Sequence, residues 1–305
     1  MDRHLVVGAG PVGRHVAALL AERGTSVAVA TRSGRTTGLD GVEHLALDAA
    51  DPDALSRAAE HAAVVYNCAN PTDYTRWSTV WPPLAASFLE AVERTGAVYA
   101  LTGNLYPYGH VDGPMTEDLP DAATDHKGRL RAGMWADARA AHEAGRLRAV
   151  EVRGSDYMGP GVGANGHVSR VVPTALRGKR AWMLGRTDLP HTFTDVRDVA
   201  RTLVAAAEDP GAHGRTWHVP SNPPVTQAQA LTDVLTTAGR PAVPVSSLRG
   251  PAWAAVAAFS PLLRELHQLA YQWEAPYVLD SSAAQERFGI APTPWDEVCR
   301  ATARA

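Results

Sequence analysis

The chain has 305 residues, and 29 Lys and Arg residues against 32 Asp and Glu residues give it a formal charge of −3. Hydrophobic residues make up 45% and charged residues 20%, which is typical of a globular protein that buries its core without metals or disulfides. The nearly neutral charge disfavours a nucleic-acid-binding protein, and no apolar run of about 18 residues predicts a membrane span. Two cysteines, Cys68 and Cys299, cannot form a disulfide framework, so a cytoplasmic protein is expected. No paired His or Cys spacing predicts a metal site.

Short apolar segments alternate with helical segments through the first half of the chain. Strands are predicted at residues 5–7, 27–30, 45–47, 64–66, 98–101 and 147–152. Helices are predicted at residues 16–22, 51–63, 83–95 and 129–144. Continuous apolar strands that alternate with helices indicate a parallel sheet covered on both faces, which is a Rossmann-type doubly wound α/β fold.

After about residue 155 the chain becomes richer in glycine and proline, and long loops separate the predicted elements. Helices are predicted at residues 194–207, 226–238 and 253–268. We therefore expect a dinucleotide-binding Rossmann domain at residues 1–158 and a smaller C-terminal substrate lobe at residues 159–305. The lobe is expected to pack on the sheet, and segments of one part can cross into the other.

A glycine-rich turn joins the first strand to the first helix. Gly8, Gly10 and Gly13 form a GxGxxG pattern in the strand–turn–helix context that makes this pattern specific. Gly8 permits the tight turn, Gly10 lets a pyrophosphate approach the backbone, and Gly13 allows the helix to pack closely. Together with Pro11 and Val12, these residues are predicted to bind the phosphates of a dinucleotide at the helix N-terminus.

The residues after the second strand are expected to contact the adenosine ribose of the dinucleotide. An NAD enzyme usually carries Asp or Glu here, whereas this chain has Thr31 and Arg32, with Arg35 close behind. Since Arg can bind a 2′-phosphate through paired hydrogen bonds, we expect NADP(H) rather than NAD(H). The alternative is that both arginines are solvated loop residues. Asp48, after the third strand, is either an acceptor for the adenine amino group or an ordinary loop residue.

Several segments together resemble the extended short-chain dehydrogenase/reductases of the NAD-dependent epimerase/dehydratase family. The matching segments are residues 8–13, Asp48, residues 67–70, residues 102–104 ahead of Tyr108 and Gly109, residues 153–161 and residues 194–200. The resemblance implies the same fold, a bound NAD(P), a small-molecule substrate and, by analogy, a homodimer.

The family catalyses with a Ser or Thr, a Tyr and a Lys, the last two in a YxxxK pattern. That pattern is absent from the expected region. The resemblance places Lys127 at the position of the Tyr, Arg131 at that of the Lys and Asn104 at that of the Ser, with Tyr106 nearby. The chain is therefore similar to atypical members of the superfamily. Asn104 can polarise a carbonyl oxygen, and Lys127 or Tyr106 can exchange a proton. Lys127 can equally be a solvated cation at the start of a helix.

The resemblance also implies roles for residues on other loops. Cys68, Ala69, Asn70, Thr102 and Lys127 are expected near the cofactor, and Gly154 and Ser155 against the nicotinamide carboxamide. The substrate pocket is expected to include Tyr108, Asp156, Tyr157, Asn165, His167 and His191.

These expectations lead to one main functional hypothesis and two alternatives. The main one is an atypical NADP(H)-dependent oxidoreductase that acts on a carbonyl or alcohol of a small metabolite. One alternative is a redox-neutral epimerase or dehydratase that keeps NAD(P) bound. The other is a non-catalytic NADP-sensing protein that has lost the catalytic residues.

Overall fold

A computed structural model describes residues 3–304 and shows a central sheet of seven parallel strands. The strand order is β11-β6-β5-β4-β1-β2-β3. The strands of this sheet are β1 (Arg3–Val7), β2 (Ser26–Thr31), β3 (Val42–Ala46), β4 (Ala62–Asn67), β5 (Val98–Asn104), β6 (Arg148–Gly154) and β11 (Thr216–His218). The expected doubly wound parallel sheet is thus confirmed, and its carboxyl edge is where ligands of such folds bind.

Residues 3–304 form twelve α-helices, some of which cover the two faces of the sheet. The first six are α1 (Pro11–Glu22), α2 (Pro52–Ala59), α3 (Trp77–Thr95), α4 (His126–Glu143), α5 (Val172–Leu176) and α6 (Val196–Glu208). The remaining six are α7 (Gln227–Thr237), α8 (Gly250–Ala257), α9 (Pro261–His267), α10 (Tyr271–Glu274), α11 (Ser282–Phe288) and α12 (Trp295–Ala303). Alternate strand residues point into two apolar clusters, one beneath α1 and α6 and the other beneath α2, α3 and α4.

Several predicted helix starts were wrong because local signals were misjudged. Helix α3 begins at Trp77 rather than at residue 83, since Pro82 and Pro83 lie inside the helix. Helix α4 begins at His126 rather than at residue 129, because Asp125 caps it by accepting a hydrogen bond from the Gly128 amide at 2.8 Å. Lys127 therefore lies in the first turn of α4.

The second half of the chain adds short strands around a smaller apolar core. These strands pair two by two, and they are β7 (Asp156–Met158), β8 (Ala181–Leu184), β9 (Pro190–His191), β10 (Phe193–Asp195), β12 (Val225–Thr226) and β13 (Val245–Leu248). Two elements of this half belong to the Rossmann layers: β11 extends the sheet beside β6, and α6 packs against α1.

The predicted helix at residues 253–268 is in fact two helices, α8 and α9. Ser260 and Pro261 interrupt it, because proline ends one helix and suits the first turn of the next, where Ser260 accepts a hydrogen bond from the Leu263 amide. The segment formed by α8, α9 and α10 packs over Tyr74 and Tyr106 at the carboxyl edge. Among residues 3–304, no helix has the length and apolar character needed to span a bilayer.

Candidate active site

The glycine loop after β1 has the geometry of a phosphate-binding turn. Gly8 has φ +106°, and a Cβ there would lie 2.6 Å from the Cys68 carbonyl oxygen. A Cβ on Gly13 would lie 1.9 Å from the Gly8 carbonyl oxygen, whereas a Cβ on Gly10 would meet nothing within 4 Å. The N-cap residue of α1 is Gly10, which has no side chain to accept hydrogen bonds from the first amides of the helix. Those amides therefore remain available to an anion. The loop therefore fits a dinucleotide pyrophosphate.

Three arginines lie around the end of β2. Arg32 and Arg35 are exposed, and within the described chain neither has a hydrogen-bonding or ionic partner. Arg14, from the first turn of α1, donates a hydrogen bond to the Thr37 carbonyl oxygen at 2.8 Å. It thereby brings a third guanidinium, which the sequence analysis missed, to the loop that carries the other two.

Asp48 and the segment after β4 lie at the same edge. The Asp48 carboxylate accepts from the Ala50 amide at 3.0 Å and is exposed, which agrees with either of its expected readings. Burial raises the pKa of the Cys68 thiol to about 12, so this thiol is neutral. Ala69 is half-buried, Asn70 is exposed, and the Thr102 hydroxyl faces the Cys68 sulfur at 3.7 Å.

Asn104 is the last residue of β5, and Tyr106 lies two residues later. The Asn104 side-chain oxygen accepts from the Tyr106 amide at 3.1 Å, which leaves the amide NH₂ as the free end of that side chain. The Tyr106 hydroxyl lies 3.1 Å from the Tyr74 hydroxyl. Burial, aided by the neighbouring Tyr74 phenol and the Asp156 carboxylate, raises the pKa of Tyr106 well above its usual value. Tyr106 is therefore a hydrogen-bond donor at neutral pH rather than a base.

Lys127 is completely buried, so it is not a solvated cation at a helix start. Its ammonium contacts the Glu265 carboxylate, which α9 supplies from 138 residues further along the chain. The same turn of α4 packs against Tyr106, because a Cβ on Gly128 would lie 2.6 Å from the Tyr106 carbonyl oxygen. The turn of α4 that carries Lys127 therefore lies against the backbone of Tyr106, and a shared role of the two side chains stays a prediction.

Arg131 is buried one turn after Lys127. Its guanidinium donates to the Thr102 carbonyl oxygen at 2.7 Å and lies 4.6 Å from the centre of the Trp81 ring. Burial raises the pKa of the nearby Glu151, although Arg153 and Arg131 oppose the shift. One Glu151 oxygen and the Arg131 Nε are buried without partners. Arg131 consequently supports the end of β5 in this structure, and a role at the ribose stays a prediction.

The loop after β6 brings a carboxylate–imidazole pair to the edge. Asp156 Oδ2 lies 2.9 Å from His191 Nε2 and accepts from the Trp273 indole at 3.0 Å. His191 Nδ1 lies 3.1 Å from the Gln272 carbonyl oxygen, so both ring nitrogens face acceptor oxygens. Burial alone would raise the pKa of Asp156, but contacts with His191, His167 and the indole hold it well below its usual range. Asp156 is therefore an anion.

His167 lies beside this pair and is neutral. Its ring stacks on Trp273 with centroids 4.6 Å apart, and its Nε2 lies 2.5 Å from the Gln227 side-chain oxygen. Burial lowers the pKa of His167 to about 3. Both loop histidines are thus buried, whereas Asn165 is exposed on a 3₁₀ turn.

Gly154, Ser155 and Tyr157 complete the loop. The Ser155 amide donates to the Thr194 hydroxyl at 3.0 Å, while its own hydroxyl is buried without a partner. The Tyr157 hydroxyl donates to the Gly103 carbonyl oxygen at 3.1 Å, beside Asn104. A Cβ on Gly154 would lie 2.7 Å from the Tyr157 ring, so the loop requires glycine at that position.

Tyr108 belongs to a different cluster. Its hydroxyl lies 2.8 Å from His218 Nε2, and its ring packs with Leu105, Met115 and Leu279. With its polar end engaged in this way, Tyr108 is a core residue in the structure rather than an open contact for substrate.

Sequence reasoning missed Tyr74, Glu265 and Trp273 as site residues. Tyr74 lies on a 3₁₀ turn before α3, and the other two lie in the α8–α10 segment. No motif marks them. They reach the site only because that segment folds back over the carboxyl edge.

The parallel sheet, the glycine loop and the polar residues at its carboxyl edge define a dinucleotide-binding Rossmann enzyme of the short-chain dehydrogenase/reductase type. The sequence profile of the NAD dependent epimerase/dehydratase family matches residues 4–219, and this protein belongs to that family. The family that the motifs had indicated is thereby confirmed.

Solved structures of similar fold come from sugar-nucleotide enzymes. UDP-glucose 4-epimerase from Thermotoga maritima, solved with UDP-glucose, is 18% identical with a TM-score of 0.81, over 99% of this chain and 97% of that one. UDP-glucuronic acid 4-epimerase from Bacillus cereus, solved with NAD, is 16% identical with a TM-score of 0.78, over the same shares of the two chains. dTDP-glucose 4,6-dehydratase from Bacillus anthracis, solved with NAD, is 15% identical with a TM-score of 0.81, over 100% and 96%. No curated protein sequence matches this chain significantly.

Proposed function

We propose that this protein is an NADP(H)-dependent oxidoreductase of atypical type that interconverts a carbonyl and an alcohol on a small metabolite. The observation that carries the proposal is the buried Lys127, on the turn of α4 that packs against the Tyr106 backbone. Asn104, whose side chain accepts from the Tyr106 amide, lies at the same carboxyl edge as the glycine loop. When bound, the cofactor supplies or accepts the hydride. The free amide NH₂ of Asn104 and the phenol of Tyr106 hold the substrate oxygen, and Lys127 exchanges the proton.

Charge at the end of β2 supports NADP(H) within this proposal. The solved relatives carry NAD, but the residues after β2 here offer guanidinium groups where a ribose-binding carboxylate would stand. Arg32 and Arg35 have no partners to displace among residues 3–304, and Arg14 adds a third positive charge at this loop. Three guanidiniums favour a 2′-phosphate over a hydroxyl.

Two measurements test the proposal. In fluorescence titrations we expect NADPH to bind about tenfold or more tightly than NADH. With a panel of small aldehydes and ketones, we expect turnover to consume NADPH absorbance. NADPH binding with no loss of absorbance on any member would contradict the oxidoreductase assignment.

A redox-neutral sugar-nucleotide epimerase or dehydratase is the second candidate, and the ligands of the solved relatives favour it. It predicts that UDP- or dTDP-glucose is converted without net change in NADPH. Against it stands the replacement of the family Tyr and Lys by Lys127 and Arg131. Product analysis after incubation with UDP-glucose separates the two candidates.

A further inference from the structure

The use of lysine in this chain is unusual. Of its 29 basic residues only two are lysines, Lys127 and Lys179. Lys179 is exposed, whereas Lys127 is completely buried at the carboxyl edge. The buried guanidiniums of Arg131 and Arg153 nearby cannot release a proton at neutral pH, but an ammonium can. One of the two lysines is therefore buried at the carboxyl edge of the sheet, where a side chain that can exchange a proton is useful for catalysis.

The partner of this lysine comes from α9. The Glu265 carboxylate contacts the buried ammonium, yet its own side chain is 25% exposed. Gln268, one turn later, places its amide 3.4 Å from the same carboxylate oxygen. Glu265 thus connects a buried ammonium to solvent, which no other contact of Lys127 in residues 3–304 does.

We propose that Glu265 is the positioning residue of Lys127: it holds the ammonium charged beside the substrate oxygen and returns a proton to it from solvent. This inference rests on the proposed function. In reduction, an N–H bond of Lys127 would break and its proton would go to the carbonyl oxygen, while a bound NADPH would supply the hydride for the carbonyl carbon. The product is the alcohol, and the neutral amine then takes a proton from water by way of Glu265.

Other groups around this turn have partners of their own. Asp125 caps α4 and lies 3.5 Å from the Tyr271 hydroxyl, and Tyr106 is paired with Tyr74. Arg131, one turn along α4, bonds the Thr102 carbonyl. None of these contacts neutralises Lys127, so removal of the Glu265 charge leaves an ammonium buried without compensation, and burial then favours the neutral amine.

The experiment uses the whole protein produced with ¹³C,¹⁵N-lysine. Because the chain has two lysines, two sets of side-chain NMR signals are expected, and Lys127→Arg assigns them. In the wild type we expect the Lys127 ammonium protons to exchange slowly and those of Lys179 to exchange too fast to be seen. In Glu265→Gln we expect the side-chain ¹³C and ¹⁵N signals of Lys127 to report loss of its proton at a pH lower by about one unit or more. The titration of the Lys179 side-chain ¹³C signals should stay as in the wild type.

Glu274→Gln is the matched control, since it removes a carboxylate of the same segment that bonds the Gly250 amide rather than Lys127. We expect it to leave the Lys127 signal in place. Should Glu265→Gln not fold, Glu265→Asp, whose side chain is one methylene shorter and draws the carboxylate away from the ammonium, gives the same comparison. An unchanged Lys127 signal in Glu265→Gln, or an equal shift in Glu274→Gln, would overturn the proposal. Absence of NADPH binding with the expected NMR result would instead refute the proposed function and leave the ion pair standing.

Discussion

Arg32 and Arg35 are exposed and have no partner in the described part of the chain. They lie next to the position that distinguishes the two pyridine coenzymes. Because they contribute little to the fold, we expect their replacement to change the affinity for the coenzyme rather than the stability of the protein. We expect Arg32→Ala and Arg35→Ala each to weaken NADPH binding about tenfold and to leave NADH binding nearly unchanged. Calorimetric titration of both coenzymes against each variant measures this.

Arg57→Ala is the control, because Arg57 is exposed on α2. It should bind both coenzymes as the wild type does. Equal weakening of NADPH and NADH by the Arg32 and Arg35 variants would argue against recognition of a 2′-phosphate.

Gly10 and Gly13 differ in what a methyl group would meet. At Gly10 the added carbon enters open space, but at Gly13 it would lie 1.9 Å from a backbone oxygen. We therefore expect Gly10→Ala to melt at nearly the wild-type temperature while it loses most coenzyme affinity, since the methyl occupies the space for pyrophosphate. Gly13→Ala should lose both affinity and thermal stability. Melting curves with and without NADPH test this, and wild-type affinity in Gly10→Ala would show that no pyrophosphate approaches there.

The residues that sequence could place are those tied to strand ends. Asn104 ends β5 and Asp156 follows β6, so their positions are set by the parallel order of the sheet. Glu265 and Tyr74 escaped notice because their contacts depend on how a distant segment or a short turn packs, which no local pattern encodes. The burial of His191 could not be predicted either, because the sequence around a loop histidine does not show which residues pack against it.

At the scale of elements, α4 carries Lys127 and Arg131, and its first turn depends on one cap. Asp125 accepts the Gly128 amide at 2.8 Å, so Asp125→Ala should cost about 1 kcal/mol of stability. Because Lys127 lies in that turn, we also expect faster hydrogen exchange at residues 126–128. Denaturant unfolding and amide exchange measure the two effects.

Asp51→Ala is the matched comparison, since Asp51 caps α2 by accepting from the Asp53 and Ala54 amides. It should cost a similar free energy and leave exchange at residues 126–128 as in the wild type. A similar rise in exchange there from both variants would mean that Asp125 acts only through global stability.

The helices predicted at residues 194–207 and 226–238 are present as α6 and α7. Strand prediction, by contrast, worked in the Rossmann half and failed in the lobe for a physical reason. The inner strands of the central sheet are buried on both faces and read as continuous apolar runs, as in residues 27–30. Strands β7, β9, β10 and β12 have two or three residues each, too few for any periodicity. Their pairing is fixed by tertiary packing rather than by local sequence.

At the scale of the whole molecule, the two halves share one framework. Strand β11 pairs with β6 through Glu151, Val152 and Arg153, and α6 packs on α1. Residues from both halves also meet at His218, which contacts Tyr108 and the Asp280 carbonyl oxygen. We expect the chain to unfold as one cooperative unit, so groups buried in either half affect the same transition.

Two buried neutral histidines make that transition depend on pH. Burial lowers the pKa of His167 to about 3 and the pKa of His218 to about 4, whereas both titrate near 6.5 in an unfolded chain. Below about pH 6.5 the unfolded state therefore binds more protons than the folded state, and the free energy of unfolding falls as the pH is lowered. Each ring contributes at most about 1.4 kcal/mol per pH unit down to its folded pKa.

Urea unfolding between about pH 7 and pH 5 measures this slope. His218→Gln removes one titrating ring, so its unfolding free energy should fall less steeply with decreasing pH than that of the wild type, even though the variant starts less stable. His110→Gln, a change at an exposed ring, should keep the wild-type slope. If His218→Gln and the wild type gave parallel lines, the His218 ring would have to be as easily protonated in the fold as in the unfolded chain. That result would be incompatible with its enclosure between the Tyr108 phenol and a backbone carbonyl.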